Sequence, residues 1–234
     1  MLVSDILEHL AYGELAHLSI GGDDTQTVTQ PDQYVQVIPA INAALDALHA
    51  RFELRFSNVL LKQVSGVTTY HLKSDYALST ISTKPNKYII DSSSAPFTDD
   101  IIRIDRVVDA CNKPVFINNE SFCSSVMLPS FNTIEFPETI QDTMYNVIYQ
   151  AKHPKIRLEG DDIEGQEINL PIQFTEALLA YIGHRIYKNR KSLAGESQSN
   201  NYYSIYQNEC ARLESKDTIN LISKEMKNTD EGWC

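Results

Sequence analysis

The chain has 234 residues, of which 42% are hydrophobic, enough for one large domain or two small ones around a real core. Its formal net charge is −11, so a phosphate backbone would be repelled unless basic groups cluster locally. No stretch approaches the roughly 20 consecutive apolar residues that cross a bilayer, which argues against a membrane span.

In chain order, the pattern predicts a first helix over about Ser4–His17. Ser4 and Asp5 are available as caps, and Ile6, Leu7 and Leu10 fall at helical spacing. Gly21-Gly22-Asp23-Asp24 carries turn chemistry and breaks it. The second helix is the clearest of all. Tyr34, Val37, Ile38, Ile41, Leu45, Leu48 and Phe52 recur at steps of three and four and draw one apolar stripe. Pro31 suits a first turn, whereas Pro39 lies inside the pattern, so a kink near Val35 or a later start is expected.

From about Asn58 the period changes to that of strands. Asn58–Val64, Thr68–Leu72, Ile101–Val108, Val115–Ile117, Thr133–Phe136 and Tyr145–Gln150 are rich in β-formers. Ser65-Gly66 and Asn112-Lys113-Pro114 mark turns between them. Tyr145, Val147 and Tyr149 share one face of the last run. Six short strands imply an antiparallel sandwich or barrel. Thr80–Phe97 reads as a loop in which Tyr88-Ile89-Ile90 is a further candidate strand.

Helical spacing returns after Leu170. Pro171 opens a helix whose Phe174, Leu178, Ile182 and Ile186 line one side. Gly195-Glu196-Ser197 is expected to separate it from a last helix, where Tyr203, Tyr206, Cys210 and Leu213 lie together. The predicted fold class is therefore α+β: a four-helix bundle from both chain ends with an inserted antiparallel β domain. Its expected parts are the N-terminal helices over 1–56, the β domain over 57–155, the C-terminal helices over 156–216 and an extended tail over 217–234. Formal charge is uneven across them. Residues 1–56 carry eight acidic and two basic side chains, 57–155 ten and nine, and 156–234 thirteen and nine.

A search of the residues for chemistry finds no catalytic, cofactor or metal site. Six histidines are spread along the chain, none in H-E-x-x-H, and no G-x-S-x-G elbow is present. Cys111, Cys123, Cys210 and Cys234 form no C-x-x-C pair and read as reduced thiols. Met1–Asp5 has neither a basic region nor an apolar run, so no secretory signal is expected there. The carboxylates of 159–167 do not match the EF-hand spacing and read as a solvated loop. The basic run Arg185–Lys191 falls at a helix C-terminus, where cations complement the dipole.

Aromatic placement points to interfaces instead. Tyr202, Tyr203 and Tyr206 sit on consecutive turns, so at least one is expected to leave the core and serve a subunit contact. Trp233 stands in a polar tail, where a tryptophan is better suited to anchoring on a partner than to a core.

Several segments, in order, resemble the head-to-tail adaptor (connector) proteins of tailed bacteriophages. They are Val3–Leu7, Ile38–His49, Gly66–Leu72, Pro129–Ile134, Val147–Pro154, Ile168–Pro171 and the glycine-tryptophan ending at Gly232-Trp233. The resemblance does not extend to Thr80–Phe97. It implies a non-enzymatic virion protein, assembled in the host cytoplasm, that forms a homo-oligomeric ring, typically a dodecamer, beneath the portal. The portal protein and a tail or nozzle protein would be its partners, and DNA would pass through without sequence-specific binding. It further implies portal docking by the C-terminal segment, with Met226, Gly232, Trp233 and Cys234 as candidate contacts. An acidic conduit would let the polyanion through, so Asp23, Asp24, Asp161, Asp162 and Glu164 are candidate channel-facing acids. Two other readings stay open: a tail-associated module whose β domain recognises carbohydrate or another virion protein through Tyr145 and Tyr149, and a hydrolase with a dispersed site around Cys123 or Cys210.

Overall fold

The computed structural model describes residues 1–13, 31–119, 125–158, 162–190 and 193–215, without the side chains of 31–33. Helix and antiparallel sheet are both present, an α+β composition. The chain divides into two compact units, Met1–Leu54 with His153–Cys234, and Arg55–Lys152.

The first unit is helical. Its α1 spans Val3–Tyr12, α2 Pro31–Arg51, α3 Thr175–Lys188 and α4 Leu193–Ser215. Helix α1 is shorter than the expected Ser4–His17, because Gly13 leaves helical geometry and closes the last turn with its N–H on the His9 carbonyl at 2.9 Å. At its start Leu2, not Ser4, is the cap residue. Asp5 works from the third position, accepting the Leu2 N–H at 2.7 Å. The N–H groups of Val3 and Ser4 are taken by the carbonyls of Gln166 and Glu164, so a segment far along the chain satisfies donors that a helix start otherwise leaves open.

Helix α2 runs unbroken through Pro39, so the later start does not occur. Pro39 costs one hydrogen bond to Val35, and both residues lie on the exposed side. The predicted stripe is buried throughout, from Tyr34 to Phe52. It meets Val3, Ile6, Leu7 and Leu10 of α1, Phe174, Leu178, Ile182 and Ile186 of the α3 region, and Tyr206, Cys210 and Leu213 of α4 in one apolar core. Each fully buried Leu or Ile contributes about 1.5–3 kcal/mol relative to exposure.

Gly195-Glu196-Ser197 does not separate helices, because α4 already begins at Leu193 and contains it. Gly195 and Ser199 are both buried in the first turns of α4. The real break between α3 and α4 is the short stretch after Lys188.

The second unit holds eight strands among the described residues: β1 Phe56–Lys62, β2 Thr69–His71, β3 Ile89–Ile90, β4 Ile101–Asp109, β5 Pro114–Val115, β6 Met127–Ser130, β7 Thr133–Glu135 and β8 Met144–Ala151. They pair antiparallel in two sheets, ordered β3-β1-β8-β4-β5 and β2-β7-β6. Val59, Leu61, Val107, Val147 and Tyr149 of the larger sheet share a core with Tyr70 and Ile134 of the smaller. Tyr70 and Tyr88 meet edge to face at 4.9 Å, and Phe136 packs on Tyr70 at 5.5 Å. Gly66 turns β1 toward β2 at φ 77°, and Asn112 turns β4 into β5 at φ 60°, conformations these two residue types tolerate best. The strand absent from the sequence reading, β6, contains Pro129. It lies at a sheet edge, where a missing N–H is harmless.

Candidate interaction site

The α3–α4 hairpin is held together by small residues facing aromatic ones. A Cβ at Gly183 would stand 3.1 Å from the ring of Tyr202, which in turn stacks on Tyr187 at 5.5 Å and 16°. One turn along α4, Tyr206 is only 4% exposed and packs edge to face on Tyr181 at 4.8 Å. Burial pushes its phenol well above the usual range. Of the three candidate interface tyrosines, Tyr206 therefore belongs to the core and Tyr202 is half-buried. Tyr203 presents 43% of its surface, with its ring 4.9 Å from that of His184.

His184 and Ser199 resemble a base and a nucleophile but are arranged otherwise. Nδ1 of His184 lies 3.0 Å from both the carbonyl and the hydroxyl oxygen of Ser199. A carbonyl only accepts, so Nδ1 carries the hydrogen in that contact and is not a proton acceptor for the hydroxyl. The Ser199 hydroxyl is 3.2 Å from the His184 carbonyl, to which it donates. The pair clamps α4 to α3. Cys210 offers no activated thiol either, since burial pushes its pKa up despite a bond from Tyr206.

Beside this clamp lies an open cavity of about 530 Å³, lined by His184, Lys188, Arg190, Leu193, Glu196 and Asn200 together with Ser199. Leu193 is 89% exposed at its rim. Arg185 and Lys188 are exposed in the last turn of α3, where their charge also complements the helix dipole. Neither forms an ion pair among the described residues.

The opposite end of the unit is built differently. Phe52 packs on Phe174 at 5.0 Å, which sets the end of α2 against the start of α3. Arg51 then reaches the end of α4, with Nε 2.7 Å from Glu214 and Nη1 2.8 Å from Gln207. That bond holds the Glu214 carboxyl below its ordinary range. Next to this junction Ile172 is 88% exposed, and Glu176 is exposed in the first turn of α3. Neither Ile172 nor Leu193 belongs to an apolar stripe, so spacing alone singled out neither.

The candidate channel-facing acids separate into distinct roles. Asp162 is exposed, and its Oδ1 accepts the Gly165 N–H at 2.7 Å, closing a turn. Glu164 is half-buried and accepts a hydrogen bond from the Tyr34 hydroxyl. Burial first, and then this carboxylate, push the Tyr34 phenol up to about 12. Asp23, Asp24 and Asp161 lie outside the described residues, as do Met226, Gly232, Trp233, Cys234 and Cys123. No group of three His, Cys, Asp or Glu side chains that could hold a metal occurs among the described residues, and no described helix is long and apolar enough to cross a membrane.

The β unit carries a second cavity, of about 380 Å³, lined in part by Arg55, Asn58, Asp91, Phe97, Asp100 and Tyr149. Arg55 pairs with Asp100 at 2.9 Å, and the Tyr149 hydroxyl donates to the same carboxylate at 2.9 Å. Burial works against the charge of Asp91, but the Ser79 hydroxyl and the N–H groups of Phe97 and Ser79 outweigh it and hold its pKa low. The polar groups of this cavity thus largely satisfy one another. Tyr149 is buried and offers no open ring face, and Tyr145 is half-buried, tilted against Phe136 at 4.6 Å. Neither a scan of protein-family models nor a search of curated proteins matches this chain.

Proposed function

We propose that this protein is a non-catalytic assembly subunit, a head-to-tail adaptor of the tailed-phage kind that docks on a portal ring and joins it to a tail or nozzle protein. In this reading the helices of both chain ends form a four-helix bundle, and Arg55–Lys152 is a domain inserted into it. The observation that carries the proposal is the pair of dissimilar exposed ends on one helical unit. One is cationic around Lys188 with Leu193, and the other bears Glu176 with Ile172. Two ends of different character on one unit suit a subunit that meets a different neighbour surface on each side, a heterologous arrangement. The segment after Ser215, ending in Gly232-Trp233-Cys234, is the proposed portal-docking peptide, and its tryptophan would be the anchor. The surplus acid, including Asp23, Asp24, Asp161 and Asp162, is assigned to the DNA-facing side, where it would keep the polyanion from sticking. Glu164 is the weakest member of that set, because Tyr34 already occupies it. The protein then belongs to the virion, assembled in the host cytoplasm.

The rival, a tail module that recognises carbohydrate through its β domain, would use the cavity beside Arg55 and Asp100. It draws less support because Tyr145 and Tyr149 are turned into packing. Mixing the purified chain with assembled portal and counting copies in particle images decides between them. A ring of copies seated on the portal is expected. No binding to portal, with binding to glycan instead, would replace the adaptor reading with its rival.

A further inference from the structure

We infer that the open edge of β1 at Phe56 and Asn58 is a binding site for an extended peptide with a basic side chain, which joins the sheet antiparallel to β1 in the slot where β3 stops. The inference rests on the β unit alone and goes beyond the adaptor reading. Strand β1 has seven residues and β3 only two. Strand β3 therefore covers Leu60 and Leu61 and leaves the first half of β1 bare on that side. The pairing with β8 decides which groups are bare. The Ala151 N–H bonds the Arg55 carbonyl and the Gln63 N–H bonds the Thr143 carbonyl, so odd-numbered residues of this stretch direct their main-chain groups at β8. On the other side the Lys62 N–H bonds the Tyr88 carbonyl, so even-numbered residues point toward β3. A longer β3 would set Ser92 against Asn58. Instead the chain turns there, with the Ala95 N–H closing on the Ser92 carbonyl at 3.0 Å. The main-chain N–H and carbonyl groups of Phe56 and Asn58 thus face out of the sheet, with no bonding partner among the described residues.

The cavity of about 380 Å³ lies in front of this edge, between Ser57, Asn58 and Val59 on one side and the returning segment 95–98 on the other. Two features choose its occupant. Donors and acceptors that alternate at strand spacing match another extended main chain. Residues 56–59 contain no proline, lysine or bulge that would close the edge to such pairing. The second feature is charge. Arg55 and the Tyr149 hydroxyl already hold Asp100. Asp91 takes hydrogen bonds from Ser79 and from the Phe97 N–H, yet no cation pairs with it among the described residues. Asp91 and Asp100 against Arg55 leave the cavity one net negative charge. Side chains of an added strand alternate in direction. The peptide residue opposite Asn58 lies on the outer face beside Phe56, which is 41% exposed and offers an apolar neighbour. The next residue turns to the side of Ser57 and Val59, where a lysine or arginine meets the charge of Asp91.

Panning the immobilised full chain with a displayed library of random linear heptapeptides tests this, with the enriched peptides then synthesised and titrated by fluorescence polarisation. The expected sequences are β-forming and carry a lysine or arginine, and their binding weakens with added salt. Asn58→Pro removes the bare N–H at a sheet edge, where proline is tolerated, and should weaken binding by about tenfold. Asn58→Ala keeps both main-chain groups and should bind within about twofold of the wild type. N-methylation of single peptide amides leaves the protein untouched and should cost about tenfold at alternate positions only. Where Asn58→Pro lowers the melting temperature, this N-methyl series decides alone. Hydrogen exchange at the Phe56 and Asn58 amides should slow in the complex. No enrichment, enrichment of acidic peptides, binding indifferent to Asn58→Pro and to N-methylation, or unchanged exchange at these two amides would overturn the inference. So would an arrayed glycan that binds where no peptide does, because the cavity would then serve the carbohydrate reading.

Discussion

Asn42 and Ile156 are joined by a reciprocal pair of hydrogen bonds: the Asn42 amide nitrogen donates to the Ile156 carbonyl at 2.9 Å, and its oxygen accepts the Ile156 N–H at 2.9 Å. One side chain of α2 thereby satisfies both backbone groups of a buried residue more than a hundred positions further on. Its removal strands those two groups beside the core, and an unsatisfied buried group costs about 1–3 kcal/mol. Asn42→Ala should lower the unfolding free energy of the helical unit by about 2 kcal/mol in urea titration. Asn42→Asp should fall between the two, because it keeps the acceptor and loses the donor.

Tyr34 and Glu164 join the same two stretches of chain. The folded protein holds the Tyr34 proton up to about pH 12, whereas an unfolded tyrosine releases it near 10. Between those values the native state binds the extra proton, so this stabilisation is complete below pH 10 and disappears as pH rises toward 12. Its size is at most about 2–3 kcal/mol. Other buried tyrosines, such as Tyr88 and Tyr206, titrate late for the same reason, burial. The measurement is therefore the difference between wild type and Tyr34→Phe. The variant should be less stable at pH 8, with the gap closing above pH 10.

Gly183 sets how closely α4 approaches α3. A methyl group there gains about 1 kcal/mol of helix propensity but must push the Tyr202 ring, itself stacked on Tyr187, by a few tenths of an ångström. Gly183→Ala should be near neutral. Gly183→Leu has no room and should cost about 1–3 kcal/mol, with a loss of near-ultraviolet tyrosine dichroism as the ring contact opens.

The proposed docking peptide makes a separate prediction. If this segment serves docking, deleting Asp230–Cys234 should weaken portal binding while leaving the melting temperature within a degree or so. Unchanged affinity for portal would remove the docking role from this segment.

These elements also show which parts of the molecule were legible in advance. The stripe on α2 and the face of α3 were readable because a 3.6-residue period survives any partner they pack against. Gly66 and Asn112 announced their turns because few other residues accept positive φ. Strand β6 escaped notice because Pro129 argues against a strand unless its edge position is already known. Gly195 reads as a break because glycine commonly marks a helix end, whereas here it is a buried residue in the first turn of α4, and no local pattern distinguishes the two. Tyr206 and Tyr203 differ by three residues, yet one is core and the other surface. Their assignment depends on the crossing of α3 and α4, which no local pattern encodes. The cavity beside Lys188 was illegible for the same reason, being formed by two helices rather than by one.

Hydrogen exchange on the full chain addresses the central structural claim, that both chain ends build one cooperative helical unit. Amides of Ile38–Leu48 and of Leu178–Ile186 should exchange with the same opening free energy, and Asn42→Ala should lower both together by the same amount. Amides of Ile38–Leu48 that open on their own, while Leu178–Ile186 keep full protection, would contradict it.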